Sequence, residues 1–513
     1  MSGRAAVATG HPRVTQAAVE VLEGGGNAYD AWIAAIATSC ICEPVLASLG
    51  GCGFLLAAPA DNRPVVVDFF AQTPNRRPPA PEDVDFHSVH AHFGTEIQEF
   101  WIGPGTIAVP GVVAGIFEVH ERLGRMPLAD ILSPAIQMAR EGTAVTDSQA
   151  ELFRVVRPAY LATRESRALF GSAVAPGEII RAGENLRMPG LADVLDCLAL
   201  EGPDLFYRGE IAAAIVEPGS DGILRRTDLE SYAAEIRAPL VSGFGNAQVL
   251  INPPPAAGGL LTTFALGILD GAGLGAHRQE SDVHARLVAK AIGRTVDIES
   301  TDVWDPANGK FDRALFEHWR EEIRSLRIAS QGTTHASIID RHGNVVSATV
   351  SNGIGSGCVV PGTDIMLNNM LGEAELNPGG LDGWPPGIRL TSMMSPTVVT
   401  WPDGSRAAIG SGGSRRIPSA ILQVIVNLVA HGMSLDAAID APRLHVSGGR
   451  LGIEGGFDPD RLGLTLLDWP DHRIWRTRNV YFGGVHAART TRRGPEAYGD
   501  SRRGGAAWTG GAP

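Results

Sequence analysis

Residues 333–355, TTHASIIDRHGNVVSATVSNGIG, restrict the fold more than any other stretch, because two β-favouring runs of equal length flank one short turn. Alternation places Thr333, His335, Ser337 and Ile339 on one face and Thr334, Ala336, Ile338 and Asp340 on the other. Residues 340–344 (DRHGN) read as a hairpin turn, and Val345–Ser351 as the returning strand. Such a hairpin carries Ser351 back toward Thr333. A hydroxyl residue at the head of a strand becomes a nucleophile once the chain is cut before it, since the freed α-amine, with a pKa of about 7.7 to 8.0, can take the hydroxyl proton. An ordinary polar hairpin is the competing reading, and spacing alone favours it.

A second feature lies further along. Residues 406–410 (RAAIG) form a short apolar strand, 411–414 (SGGS) a glycine turn, and 417–430 an apolar helix. Bare amides at a helix start suit an oxyanion or a phosphate, although a plain connecting loop has the same composition.

The remaining pattern is α/β. Helical spacing covers 15–23, 28–42, 112–123, 128–140, 191–200, 210–216 and 260–269, and strands are expected at 54–58 and 64–69. The proline-rich stretch 74–104 reads as irregular, 376–387 (LNPGGLDGWPPG) as a loop over the site, and 492–513 as a frayed Arg/Gly-rich end. Residues His87, His90 and His92 have ligand-like spacing but no carboxylate or cysteine completing a set, so neither metal nor cofactor is expected. The run 353–357 (GIGSG) lacks the lysine of a phosphate loop, and no GxSxG elbow occurs.

Composition sets outer bounds. With 56 acidic against 43 basic residues, a net charge of −13 argues against nucleic acid or an anionic membrane as partner. Lys290 and Lys310 are the only lysines, which leaves little room for Schiff-base chemistry. Five cysteines, an odd number in a long chain, read as free thiols, and Cys358 near the hairpin has no recognisable His partner. The first residues lack an apolar signal core, and the early apolar run 31–42 is shorter than the about 20 residues a bilayer span needs. A cytoplasmic location is the expectation, with export the alternative should the start site be mis-assigned.

The motifs in order resemble one family. TTH with GNVVSATVSNG, LNNML (367–371), TSMMSPT (391–397) and GSGGSR (410–415), preceded by GGGNAYDAWIAA (24–35), LGGCGF (49–54), VDFFAQTP (67–74), DLFYRGEIA (204–212) and NPPPAAGG (252–259), are similar to segments of the γ-glutamyltransferases. The resemblance spans nearly the whole chain. It implies an N-terminal-nucleophile hydrolase, a four-layer αββα sandwich, made as a precursor that cuts Gly332–Thr333 into subunits 1–332 and 333–513, which remain together as a heterodimer. It further implies Thr333 as nucleophile, Ser351 in place of a supporting threonine, Gly412 and Gly413 as oxyanion donors, and Asn352, Glu373 and Ser392 at the substrate.

Two departures concern the substrate. Phe70 of Asp68-Phe69-Phe70 stands where the family has an arginine for the donor's α-carboxylate, and Met393 replaces one of two serines. A guanidinium holds a carboxylate bidentately, each charged hydrogen bond being worth about 1.5 to 3 kcal/mol, and phenylalanine offers none of this. Arg76, Arg77 and Arg389 are candidate substitutes. The resemblance makes γ-glutamyl compounds such as glutathione the first-choice donors, with water or an amino acid as acceptor. An amide acylase acting on an acyl group such as glutaryl shares the catalytic residues, Phe70 and Met393 making its pocket more apolar. A homologue that never matures is the third reading.

Overall fold

The computed structural model describes residues 4–77, 84–93, 96–216, 222–296, 332–373 and 384–510. In chain order the strands of its two main sheets are β1 (Ala5–Thr9), β2 (Cys52–Ala58), β3 (Val65–Phe69), β4 (Glu235–Arg237), β5 (Leu240–Phe244), β6 (Ala247–Ile251), β7 (Thr333–Ile339), β8 (Val345–Ser351), β9 (Thr397–Thr400), β10 (Arg406–Gly412), β11 (Gly484–Thr491), β12 (Gly494–Tyr498) and β13 (Ala506–Gly510). One sheet has the order β13-β1-β7-β8-β2-β3-β4 and the other β12-β11-β10-β9-β6-β5, with every pairing antiparallel.

The sheets stack face to face with helices outside both, the four-layer sandwich expected from the sequence. Helices α1 (Pro12–Glu23) and α2 (Ala28–Cys42) cover the first sheet; α3 (Ala257–Leu269), α4 (Asp282–Val296) and α5 (Arg416–Val429) lie beyond the second. Alternation along the hairpin sorts its side chains: Ala336, Ile338, Val346, Ala348 and Val350 join the core under α1 and α2, whereas Ile339 and Val345 join the core between the sheets.

Helix α2 is apolar all round and therefore buried all round. Asn27 starts it with a capping box, accepting from the amides of Tyr29 and Asp30 while Asp30 accepts from Asn27 N. Asp340 in the hairpin turn accepts from Ala28 N at 3.0 Å and from His342 N and Asn344 N, so one carboxylate fixes the turn and seats it on the helix start. The helices 112–123 and 28–42 coincide with their sequence limits, and the block continuing through Pro189–Glu201 packs on the same core.

Three expectations are corrected. Within 74–104, His87–Phe93 and Glu96–Ile102 pair as a hairpin rather than running irregularly, because EIQEFWI carries the aromatic and β-branched residues that proline-rich neighbours masked. The end of the chain is not frayed through 492–510: β12 pairs with β11, and β13 pairs with β1 from Ala5↔Gly510 to Thr9↔Ala506. That partner lies some five hundred residues away in sequence, which no local pattern reveals. The strand expected at 406–410 runs on through Gly412, so the turn narrows to Gly413 and Ser414, both at positive φ. Most of the loop expected at 376–387 lies outside the described residues.

Candidate active site

Thr333 opens β7 in the middle of the first sheet, 1% exposed, and Ser351 and Cys52 follow it across the neighbouring strands in register. Ser351 Oγ donates to the Gly332 carbonyl oxygen at 2.6 Å and accepts from Gly353 N at 3.1 Å. A hydroxyl so placed polarises that carbonyl, and an oxygen of higher charge would bind it more strongly.

Glycines let the backbone close in. A Cβ on Gly332 would lie 1.8 Å from the Gly353 carbonyl oxygen and 2.6 Å from that of Val45. One on Gly412 would lie 2.3 Å from the Thr333 carbonyl oxygen, which brings the glycine turn of the second sheet against the head of β7. Gly353, at φ 64°, has its open side toward Asn369 Oδ1 at 2.0 Å and Glu373 Oε1 at 2.8 Å from the same construction, so Glu373 reaches the vicinity of Gly332. Asn369 is itself fixed, accepting from Ile354 N at 2.8 Å and donating to the Trp101 carbonyl at 3.1 Å. Asn352 is buried and donates to the Met366 carbonyl at 3.4 Å. The structure thus brings together Gly332, Thr333, Ser351, Gly412 and Glu373.

Ser392 and Met393 sit on a separate segment against the start of α3: the Ser392 carbonyl accepts from Gly258 N at 3.1 Å, and its hydroxyl accepts from Met394 N at 3.0 Å. Phe70 is fully enclosed and stacked on Phe54, centroids 5.1 Å apart. Of the substitute arginines, Arg389 is committed: it donates to the carbonyls of Phe70 and Ala233 at 2.5 and 2.7 Å, pairs with Glu235 at 3.3 Å and lies over the Tyr232 ring. Arg77 donates to the Trp384 carbonyl, and Arg76 is exposed.

Beneath β7 the space between the sheets is polar. His335 bridges Thr349 Oγ1 at 2.8 Å and Ser337 Oγ at 2.9 Å, and burial holds its imidazole well below the usual range, hence neutral. On the helix side, Thr334 Oγ1 donates to both oxygens of Glu43 at 3.2 Å. Burial raises the Glu43 acid to about 7 against the opposing pull of the Thr334 and Ser39 hydroxyls and of Arg503. Neither Glu43 nor Arg503 is legible as a site residue from sequence, since what distinguishes them is enclosure. Among the described residues no cluster of three His, Cys, Asp or Glu side chains is placed to hold a metal ion, and no helix is long and apolar enough to cross a membrane.

The family model described as gamma-glutamyltranspeptidase matches residues 14–510. The chain is 30% identical to an acylase ACY 1 proenzyme of Pseudomonas sp. (strain V22), covering 94% of this chain and 89% of that protein. It is likewise 30% identical to the glutathione hydrolase proenzyme of Escherichia coli (strain K12), covering 89% and 84% respectively. A cephalosporin acylase from Bacillus halodurans has the same fold, with a TM-score of 0.80 at 24% identity over 99% of this chain and 96% of its own. The chain therefore belongs to the gamma-glutamyltranspeptidase family and is an enzyme of its hydrolase and transferase class.

Proposed function

We propose that this protein is a precursor that cuts its own Gly332–Thr333 bond and then transfers acyl groups from amides through an ester on Thr333. The observation that carries the reading is the 2.6 Å hydrogen bond from Ser351 to the carbonyl at that bond, whose nitrogen belongs to the hydroxyl residue Thr333, with Gly412 pressed against the Thr333 carbonyl. In self-cleavage, Thr333 Oγ attacks the Gly332 carbonyl carbon, the C–N bond breaks as the proton passes to nitrogen, and water hydrolyses the resulting ester. The products are a Gly332 carboxylate and a Thr333 bearing a free amine, giving subunits 1–332 and 333–513.

In turnover the amine takes the Thr333 hydroxyl proton, the oxygen attacks the donor carbonyl, and the Gly412 and Gly413 amides receive the oxyanion. The amine's proton passes to the leaving nitrogen, and water or an amino acid then removes the acyl group. Asn352, Glu373 and Ser392 hold the donor, with γ-glutamyl as first choice, its α-amino group facing Glu373. A donor without an α-carboxylate, such as a glutaryl or aliphatic amide, is the second reading. It is favoured by the enclosure of Phe70 and by the engagement of both terminal nitrogens of Arg389.

Denaturing electrophoresis with N-terminal sequencing tests maturation: a new terminus Thr-Thr-His-Ala is expected, and a persistent single full-length band counts against it. Thr333→Ala should abolish both cleavage and turnover. Mass spectrometry after incubation with γ-glutamyl, glutaryl and aliphatic amides then reports which acyl group is carried on Thr333.

A further inference from the structure

The guanidinium of Arg503 and the stem of Arg416 flank the glycine turn. A Cβ on Gly412 would lie 3.4 Å from Arg503 Nη1, and one on Gly413 3.3 Å from Arg503 Nη2 and 3.7 Å from Arg416 Cβ. The stem of Arg503 lies in a groove that a side chain at Gly484 would fill, since a Cβ there would meet its Cβ, Cγ and Cδ each at 2.7 Å. Arg416 stacks on Tyr481, its guanidinium carbon 4.3 Å from the ring centre. Among the described residues neither arginine has an ion pair, and the Nε atoms of both are enclosed without a hydrogen-bond partner.

The nearest acids are engaged elsewhere. Asp500 pairs with Arg443 at 2.7 Å and Arg502 at 3.2 Å, and Glu43 receives the Thr334 hydroxyl. Burial and the Arg416 charge pull the Arg503 guanidinium down to about 10, against the opposing pull of Asp500 and Glu43.

Position says which part of a substrate meets them. In the first sheet Thr333 has Ser351 and Cys52 on one flank, leading toward Phe70, with Glu373 below Gly353. Arg503 belongs to the other flank, between β12 and β13, and Gly504 next to it approaches the Gly10 carbonyl just after β1. A carbonyl carbon attacked by Thr333, with its oxygen at Gly412 and Gly413 and its acyl chain toward Glu373, sends its nitrogen substituent toward Arg503.

Resting on the proposed role of Thr333, we infer that Arg503, aided by Arg416, is a specificity determinant for the leaving amine, binding a carboxylate carried on that half of the amide. The preferred substrates are then amides of amino acids, peptides or other carboxylated amines rather than of neutral amines.

The test pairs each acyl group (γ-glutamyl, glutaryl, pentanoyl) with a 4-nitroanilide and a 3-carboxy-4-nitroanilide, read on the mature enzyme. The wild type is expected to favour the carboxylated member. In Arg503→Gln that preference in kcat/KM should fall about ten- to hundredfold, as for a lost charged hydrogen bond. Arg503→Lys should keep part of the preference. An unchanged preference overturns the inference, and so does a loss that follows the acyl carboxylate instead, glutaryl against pentanoyl, which would place Arg503 on the acyl side. Should no anilide turn over, the acyl-transfer reading fails on its own. Equilibrium dialysis of 5-amino-2-nitrobenzoate against 4-nitroaniline still decides the anion site: tighter binding of the benzoate, lost in Arg503→Gln, sustains it, and equal binding refutes it.

Discussion

Ser351 donates its hydroxyl hydrogen to the carbonyl oxygen of Gly332 across a 2.6 Å contact between adjacent strands. On the proposed reading this bond strengthens as the carbonyl becomes an oxyanion during self-cleavage. Removing one such donor costs about a hundredfold or more in rate. Ser351→Ala is therefore expected to accumulate precursor, with cleavage slowed about a hundredfold, whereas Ser351→Thr keeps the hydroxyl and should mature. A time course of band intensities after expression checks both.

Gly332 leaves no space for a side chain, since a Cβ would meet the Gly353 carbonyl at 1.8 Å. Gly332→Ala must push either that carbonyl or its own backbone aside, at about 1 to 3 kcal/mol for an overpacked site. When its own backbone moves, the Gly332 carbonyl is drawn off the Ser351 hydroxyl. Uncut protein with a lowered melting temperature is the expected outcome, read by electrophoresis and calorimetry.

Glu43 should make stability fall with rising pH. The folded protein holds this proton up to about pH 7, while an unfolded glutamate releases it near 4.5. The contribution is complete below the lower value and is lost as pH climbs through about 7, reaching roughly 3 kcal/mol. The neutral imidazoles of His335 and His445 act in the opposite sense, their contribution vanishing as pH falls below the usual histidine range. Comparing Glu43→Gln with the wild type cancels them, so the difference in melting temperature between pH 5 and pH 8 isolates Glu43. A difference that does not vary with pH would contradict the assignment.

Arg502 joins Glu454 at 2.7 Å and Asp500 at 3.2 Å, all three side chains fully enclosed, and Arg443 completes the cluster. Glu454→Ala leaves Arg502 and Arg443 sharing the single carboxylate of Asp500, and breaking a buried pair costs about 3 to 5 kcal/mol. Urea denaturation should show the midpoint shift, and a loss below about 1 kcal/mol would mean that solvent reaches the pair.

Legibility from sequence followed the range of the forces involved. The hairpin around 340–344, helix α2 and the turn beside Gly412 are set by alternation, capping and glycine, all local, and they lie where the residues indicate. Strand β13 could not be found that way, because AAWTG has no alternation and acquires its strand character from pairing with β1. Phe70 was legible as a missing cation but not as a ring buried on Phe54. Arg503 and Glu43 are ordinary charged residues on paper, and only three-dimensional enclosure makes them unusual.

Strand β7 lies third in a sheet of seven, flanked by β1 from the beginning of the chain and β8 just after it. A cut at its head would leave two polypeptides sharing an unbroken ladder, with no seam along which they could part. Exchange of halves between two mature molecules should then be as slow as global unfolding. Fragments separated in denaturant would face a bimolecular search that the single precursor never encounters.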